Sequence, residues 1–238
     1  MKSLYVHQKN EWSISTMRTF STPSLLILSF FIVTTIAAGE ELENCILLPS
    51  PKQSSECSLE ELLWERHSTR SFTNQELTME EIGQLCWAAQ GVNRPEEKKR
   101  TAPSAGATYP LELYVVLPDG VYHYIPATHE LELKKEGSMR PLLVEADLDS
   151  KMMQVSQCVF IFTAVFERTV RKYGGPSFGY VYLEAGHAAQ NLLLQAQALQ
   201  LGGVPNGSVI SYTNKQKLGI PASEDPIYLL VIGHPKEE

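Results

Sequence analysis

Three features of this 238-residue sequence predict an α+β fold. The run from Cys158 to Val165 is the most apolar outside the N-terminus and reads as a central strand buried on both faces. Leu113–Leu117 and Val121–Ile125 flank Pro118-Asp119-Gly120, which is the pattern of a β-hairpin. Tyr180–Leu201 carries Ala185, Ala188, Ala189, Leu192, Leu193, Ala196 and Leu199 at helical spacing, and its apolar surface is unusually wide. Such a helix belongs in a large core or at a subunit interface. About five strands are interspersed with helices, without the regular βαβ alternation of a parallel sheet.

The N-terminus stands apart. Ser24–Ala38 is free of charge, and its apolar run of about fifteen residues is short for a membrane span, which needs about twenty. Arg18 precedes it and small residues close it, as in a secretory signal peptide cleaved near Ala37 or Ala38. Translation from Met17 would give a cleaner signal. Lys2, Lys9 and Arg18 lie before the run and Glu40, Glu41 and Glu43 after it, so the body is expected outside the cytoplasm. An uncleaved anchor is the alternative. The expected division is 1–38 as signal or anchor, 39–57 as linker and 58–238 as the folded domain.

In the linker, Cys45 and Cys57 could pair in an oxidising compartment, and Pro49 and Pro51 mark a tether. Ser58-Leu59-Glu60-Glu61 is a capping box that opens a short helix with Leu59, Leu62 and Leu63 on one face. Thr78-Met79-Glu80-Glu81 is a second one. Ile82, Leu85, Cys86 and Ala89 continue that helix, and Gly91 ends it. Asn93–Arg100 reads as a charged loop, and Thr101–Pro110 as a small-residue loop able to approach a flat ligand closely. Glu130–Lys134 adds a third strand to the hairpin. Met139–Asp147 reads as helical, and Lys151–Ser156 as a further short helical piece. After the long helix, Gly202-Gly203 is read as its stop, and Val204-Pro205-Asn206-Gly207-Ser208 as a second small-residue loop. Asn214–Leu218 is a short helix and Tyr228–Ile232 a closing strand.

Formal net charge is −7, which argues against a general nucleic-acid binder. The four cysteines lack CxxC spacing and a His/Cys cluster, so no metal site is expected; Cys86 and Cys158 read as buried thiols. No GxGxxG, GxxxxGK[ST], GxSxG or HExxH occurs, so the chemistry is expected to come from a cofactor.

Against this acidic background, Glu65-Arg66-His67-Ser68-Thr69-Arg70-Ser71-Phe72 concentrates two arginines, a histidine and three hydroxyls. In an extended segment Arg66, Ser68 and Arg70 point one way, and guanidinium forks with a hydroxyl on one face suit a phosphate. The alternative is a polar connection whose arginines pair with nearby carboxylates.

Four motifs now stand in order: Arg66–Phe72, Ala102–Pro110, Glu184–Asn191 and Gly202–Gly207. Together they resemble the flavin-dependent nitroreductase family, and more closely its SagB-type branch, which includes azoline oxidases of peptide natural-product pathways. The resemblance covers residue 58 to the C-terminus. It implies a central, mainly antiparallel sheet flanked by helices, and FMN bound at the interface of an intertwined homodimer. It implies that Arg66, His67, Ser68 and Arg70 hold the phosphate, ribityl chain and pyrimidine edge. Pro103, Ser104, Ala105 and Gly106 would approach the flavin from the partner subunit, and Pro205, Asn206 and Gly207 would lie against its ring. Two departures stand out. Only His234 and Lys236 are available where many members carry a C-terminal basic pair, and Asn206 occupies a position often apolar in the branch.

The implied activity is a ping-pong oxidoreductase, passing electrons from a reduced donor to a small acceptor such as a nitro compound or quinone. Azoline dehydrogenation in peptide maturation and a non-enzymatic surface flavin binder are the alternatives. No side-chain acid or base is required for the first. Lys172-Tyr173 resembles the pair that azoline oxidases use as base, although a charged residue and an aromatic at a helix entrance is the plainer reading. His123 and His187 are expected to be packed or paired. NAD(P)H as donor sits poorly with export.

Overall fold

The computed structural model describes residues 44–138, 157–207 and 212–236. The N-terminal apolar run, both segments read as helical within 139–156, and Ser208 lie outside them. Among the described residues no helix is long and apolar enough to cross a membrane.

The predicted hairpin forms as β4 (Leu111–Leu117) and β5 (Gly120–Ile125), and β6 (Glu130–Glu136) extends it. β7 (Cys158–Ala164) pairs with β4 on one side and with β9 (Asp225–Gly233) on the other. All seven residues of β7 are buried. Side chains alternate across a strand, so Phe160 and Phe162 enter the larger core with Leu113, Val115, Leu230 and Ile232. Val159 and Ile161 enter a second core on the opposite face with Tyr114, Val116, Leu229 and Val231. Burial on both faces is why the run is continuously apolar rather than alternating.

The main sheet has seven strands, two more than expected. In order they are β1 (Cys45–Leu47), β6, β5, β4, β7, β9 and β8 (Gly202–Asn206), and every pairing is antiparallel. Both additional strands are edges. β1 lies within the expected linker, where Leu48 is buried and its N–H donates to His129 O. β8 occupies most of what reads as the second small-residue loop. Two glycines and a proline hide a strand from sequence patterning, yet Pro205 is tolerated because an edge strand leaves one side without a sheet partner. The charged segment 93–100 likewise folds back on itself as β2 (Val92–Arg94) and β3 (Lys99–Arg100).

Both capping boxes form. Ser58 and Glu61 exchange hydrogen bonds of 3.2 and 2.7 Å at the start of α1 (Leu59–Glu65), and Thr78 and Glu81 do the same for α2 (Met79–Gln90). α3 (Phe166–Tyr173) has no counterpart in the sequence reading; it is strongly amphipathic, but only eight residues long and rich in charge. Lys172 and Tyr173 therefore sit at a helix end, not at a helix entrance. The long helix, α4 (Ser177–Ala198), packs Ala185, Ala188, Ala189, Leu192 and Ala196 against α2 and the sheet. Its other side, with Phe178, Tyr182, Leu183, Gly186 and His187, is exposed, and His187 is not paired with a described residue. His123 does pair, with Glu112 at 2.9 Å.

α4 ends at Leu199, and the chain reverses through Gln200, whose φ is 60°. Gly202 and Gly203 are thus not the helix stop. They begin β8 and permit close approach: a Cβ on Gly202 would lie 2.6–2.9 Å from three Thr69 side-chain atoms, and one on Gly203 would lie 2.8 Å from Leu193 Cδ2. α5 (Tyr212–Lys217) fits the expected short helix. Cys45 and Cys57 are not bridged, and the Cys86 and Cys158 thiols are buried.

Gly202→Ala should therefore push Thr69 off the sheet edge and lower stability by about 1–3 kcal/mol. Adding Thr69→Gly should recover part of that loss, and thermal melts of the single and double variants measure the recovery.

Candidate functional site

Arg66 leaves α1 in an extended conformation, with its N–H still donating to Leu62 O. The following residues run along the sheet edge. Ser68 bridges Gly203, and Thr69 N–H donates to Gly203 O at 3.0 Å. Phe72 bridges Pro235, Thr73 N–H donates to His234 O, and Lys236 N–H donates to Ser71 O. Backbone groups supply these bonds, so the side chains remain available. Thr69 faces Gly202, and alternation turns Ser68 and Arg70 the other way.

Neither Arg66 nor Arg70 forms an ion pair with a described residue. The one hydrogen bond within the described residues from the Arg70 side chain runs from Nη1 to Ser68 O, at 3.4 Å. His67 Nδ1–H donates to Glu65 O at 2.9 Å, leaving Nε2 outward as an acceptor, or as a donor when protonated. Arg66, His67, Ser68 and Arg70 thus lie on the segment that runs beside β8, which Pro205 and Asn206 complete. Space beside Gly207 is open, since a Cβ there would meet nothing within 4 Å. The C-terminal strand end brings Lys236 alongside Ser71, so this basic residue is a neighbour of the arginine segment.

The second group forms around Pro103–Gly106. Tyr109 N–H donates to Ser104 Oγ at 2.9 Å, and Ala105–Ala107 make a single 3-10 turn. Gly106, Ala107 and Tyr109 all have positive φ, at 57°, 55° and 43°. Two non-glycine residues in that region mark a strained loop held by its surroundings. Lys172 Nζ donates to Gly106 O at 2.9 Å. A Cβ on Gly106 would overlap Tyr173 Oη and Lys172 Nζ, so only glycine fits under this pair. Arg168 braces the loop by donating to Tyr109 O and by pairing with Glu112. Burial alone would raise the Glu112 pKa, but its bond to His123 and the Arg168 charge outweigh burial and hold it below the usual range.

The structure thus assembles the sequence-predicted residues into two groups. Arg66, His67, Ser68, Arg70, Pro205, Asn206 and Gly207 lie along the β8 edge, near the α1–α4 contact where Gln197 Nε2 meets Glu65 Oε2 at 3.5 Å. Pro103, Ser104, Ala105, Gly106, Lys172 and Tyr173 surround the other loop. Ser104 lies beside Glu184, thirteen residues before Gln197 on α4, about 20 Å away along the helix axis.

One member of the second group carries no role in the sequence reading. Glu184 lies on the buried side of α4, is 3% exposed, and its Oε1 has no hydrogen-bond partner among the described residues. Burial pushes its carboxyl up to about 7, against the opposing pull of the Ser104 hydroxyl and Arg100. The signal was a lone glutamate among alanines on an apolar helix. Two cavities flank these groups. One of about 380 Å³ abuts Pro103, Ser104 and Gly106 and is rimmed by Arg94, Lys99 and Arg100. One of about 940 Å³ lies under residues 52–57, against Gln84, Trp87, Asn191 and Gln195, and shares no residue with the predicted site.

The model of the nitroreductase family matches residues 63–234. A nitroreductase-type protein of Methanocaldococcus jannaschii is 38% identical over 184 residues, covering 75% of this chain and 91% of the relative. The trifolitoxin-processing protein TfxB of Rhizobium leguminosarum is 32% identical over 117 residues, 44% of this chain and 31% of its own. A nitroreductase-type crystal structure from Ralstonia eutropha superposes with a TM-score of 0.74 at 31% identity, over 82% of this chain and 91% of that one. A Desulfovibrio desulfuricans structure in complex with FMN shares the fold, with a TM-score of 0.57 at 20% identity over 77% and 89% of the two chains.

Because Glu184 is held above its ordinary value, it favours the fold fully below the unfolded carboxyl range, and that contribution is lost as pH rises through about 7. Glu184→Gln should therefore raise stability relative to the native chain at pH 8, by roughly 1–3 kcal/mol, and change it little at pH 4.5. Denaturant titration of both chains at the two pH values checks the sign.

Proposed function

The chain belongs to the nitroreductase family and is a flavin-dependent oxidoreductase, and we propose that it binds FMN between two copies of itself and reduces a small acceptor. The carrying observation is the Arg66–Arg70 segment. It is anchored by its backbone, and its guanidiniums are unpaired within the described residues of an acidic chain. That donor set fits the phosphate of FMN. The small-residue backbones at Pro103–Gly106 and Pro205–Gly207 fit the faces and edge of a planar ring.

When bound, FMN would supply two-electron chemistry, taking electrons from a reduced donor and giving them to a nitro compound, a quinone or a similar acceptor. The chain's part is binding and orientation. Arg66 and Arg70 would hold the phosphate, with Ser68 and the His67 imidazole beside them. Pro205, Asn206 and Gly207 would bound the ring, and Asn206 would make that boundary polar.

Two features favour a dimeric site. The residue groups stand about 20 Å apart along α4 within one chain. Phe178, Tyr182 and Leu183 on α4, with Leu59, Leu63 and Trp64 on α1, expose large apolar side chains. A second copy would cover these surfaces and bring its own Ser104 loop to the arginine edge.

A second reading has its own support. Lys172 Nζ and Tyr173 Oη both crowd the Gly106 position, and TfxB is a relative. Dehydrogenation of an azoline ring in a peptide needs a base for the departing proton, and either group could take it. The apolar Ser24–Ala38 run supports export, which disfavours NAD(P)H as the donor; N-terminal sequencing of the mature protein would reveal cleavage.

The purified protein should be yellow, bleach with a reductant and recover its colour with a nitroaromatic; a colourless protein that takes up no FMN would sink the proposal. Arg66→Ala should lose most of its flavin, measured as FMN released per chain on denaturation. Co-expressing Arg66→Ala with Gly106→Val chains tests the shared site. If each site draws on two copies, the mixed dimer keeps one intact site and retains about half the flavin. If each site lies within one chain, it retains none.

A further inference from the structure

We propose that Glu184 is a positioning residue, whose buried carboxyl decides which way the Ser104 hydroxyl donates and thereby how tightly the Pro103–Gly106 loop holds FMN. This rests on the reading of that loop as cofactor-facing.

Ser104 Oγ already accepts the Tyr109 N–H, at 2.9 Å. A hydroxyl has one hydrogen and two lone pairs, so one lone pair and the hydrogen remain to be placed. The polar neighbour on the buried side is Glu184, 3% exposed, with Oε1 lacking a partner among the described residues. The charged group facing it is Arg100 from β3, and behind Arg100 stand Glu112 of β4 and Arg168 of α3. Among the described residues no ion pair with Glu184 is formed. Arg100 Nη1 donates to Gln90 Oε1 at 2.8 Å and to Leu111 O, while Glu112 and Arg168 pair with each other.

An ionised carboxylate can only accept, so it draws the Ser104 hydrogen into the helix. A protonated carboxyl reverses the bond: its own hydrogen goes to the vacant lone pair of Ser104 Oγ, and the hydroxyl hydrogen is released toward the outer side of the loop. The only transfer is one proton exchanged with solvent. Ala107 N–H donates to Ser104 O and Thr108 N–H to Ala105 O, so the backbone that carries this hydroxyl is fixed in the turn. The carboxyl titrates near pH 7, so the two hydroxyl orientations exchange around neutrality.

The test is FMN affinity of the full chain, read by quenching of flavin fluorescence from pH 5.5 to 8.5. Native Kd should weaken about three- to tenfold with a midpoint near pH 7, the worth of one hydrogen bond to the ligand. Glu184→Gln, whose amide N–H donates to Ser104 at every pH, should stay at the tight limit. Ser104→Ala, at a loop position that does not disturb the core, should bind at the weak limit throughout. The FMN phosphate titrates near pH 6, equally for all three proteins, and cancels in ratios of Kd. A ratio of native Kd to Glu184→Gln Kd that is independent of pH overturns the inference, as does a step near pH 7 that survives in Ser104→Ala. Failure of the native chain to bind FMN at any pH overturns the cofactor reading and this inference with it.

Discussion

The arginine segment depends on a division of labour between backbone and side chain. Its main chain is spent on the sheet, through Thr69 with Gly203, Thr73 with His234 and Lys236 with Ser71. Its guanidiniums are left unspent. A loop held by its own side chains would have to break those bonds to take a ligand, and would lose affinity by the cost of the exchange. Here an anion meets donors that are already oriented. The two glycines of β8 make this possible, because only a missing Cβ lets Thr69 lie flat against Gly202.

How much of this was legible depended on whether a feature is local. The capping boxes at Ser58 and Thr78, the β4–β5 hairpin and the doubly buried β7 are written in contiguous residues, and they formed as read. β1 and β8 were not legible, because each is an edge strand that gains its state from a partner distant in sequence. Gly202 and Gly203 carried a local meaning, the end of a helix, that a tertiary contact overrode; Gln200 makes the left-handed turn instead. The candidate site residues were read as motifs, but their division into two groups was not legible. That division follows from the length of α4, which separates Ser104 from Glu65 although both touch the same helix.

Electrostatically the two groups are opposites. The segment beside β8 carries arginines that form no ion pair with a described residue. The Ser104 loop sits over a bonded network: Arg168 with Glu112, Glu112 with His123, and Lys172 with the carbonyl of Gly106. Glu184 is the exception, a carboxyl that burial keeps at about 7 and that no cation reaches directly. An unmatched group within an otherwise bonded network is where protonation has leverage.

The arginine segment also has a mechanical role. β8 is the last strand of the sheet, and its outward N–H and C=O groups would be a template for pairing with another chain. Ser68 and Thr69 lie along that rim and occupy it at Gly203. The opposite rim, β1, spans only three residues, too short to template much. The residues that would grip the ligand are therefore also the guard of the sheet. Anything that peels them away bares an edge strand, so retention of the ligand and resistance to aggregation are properties of the same few residues.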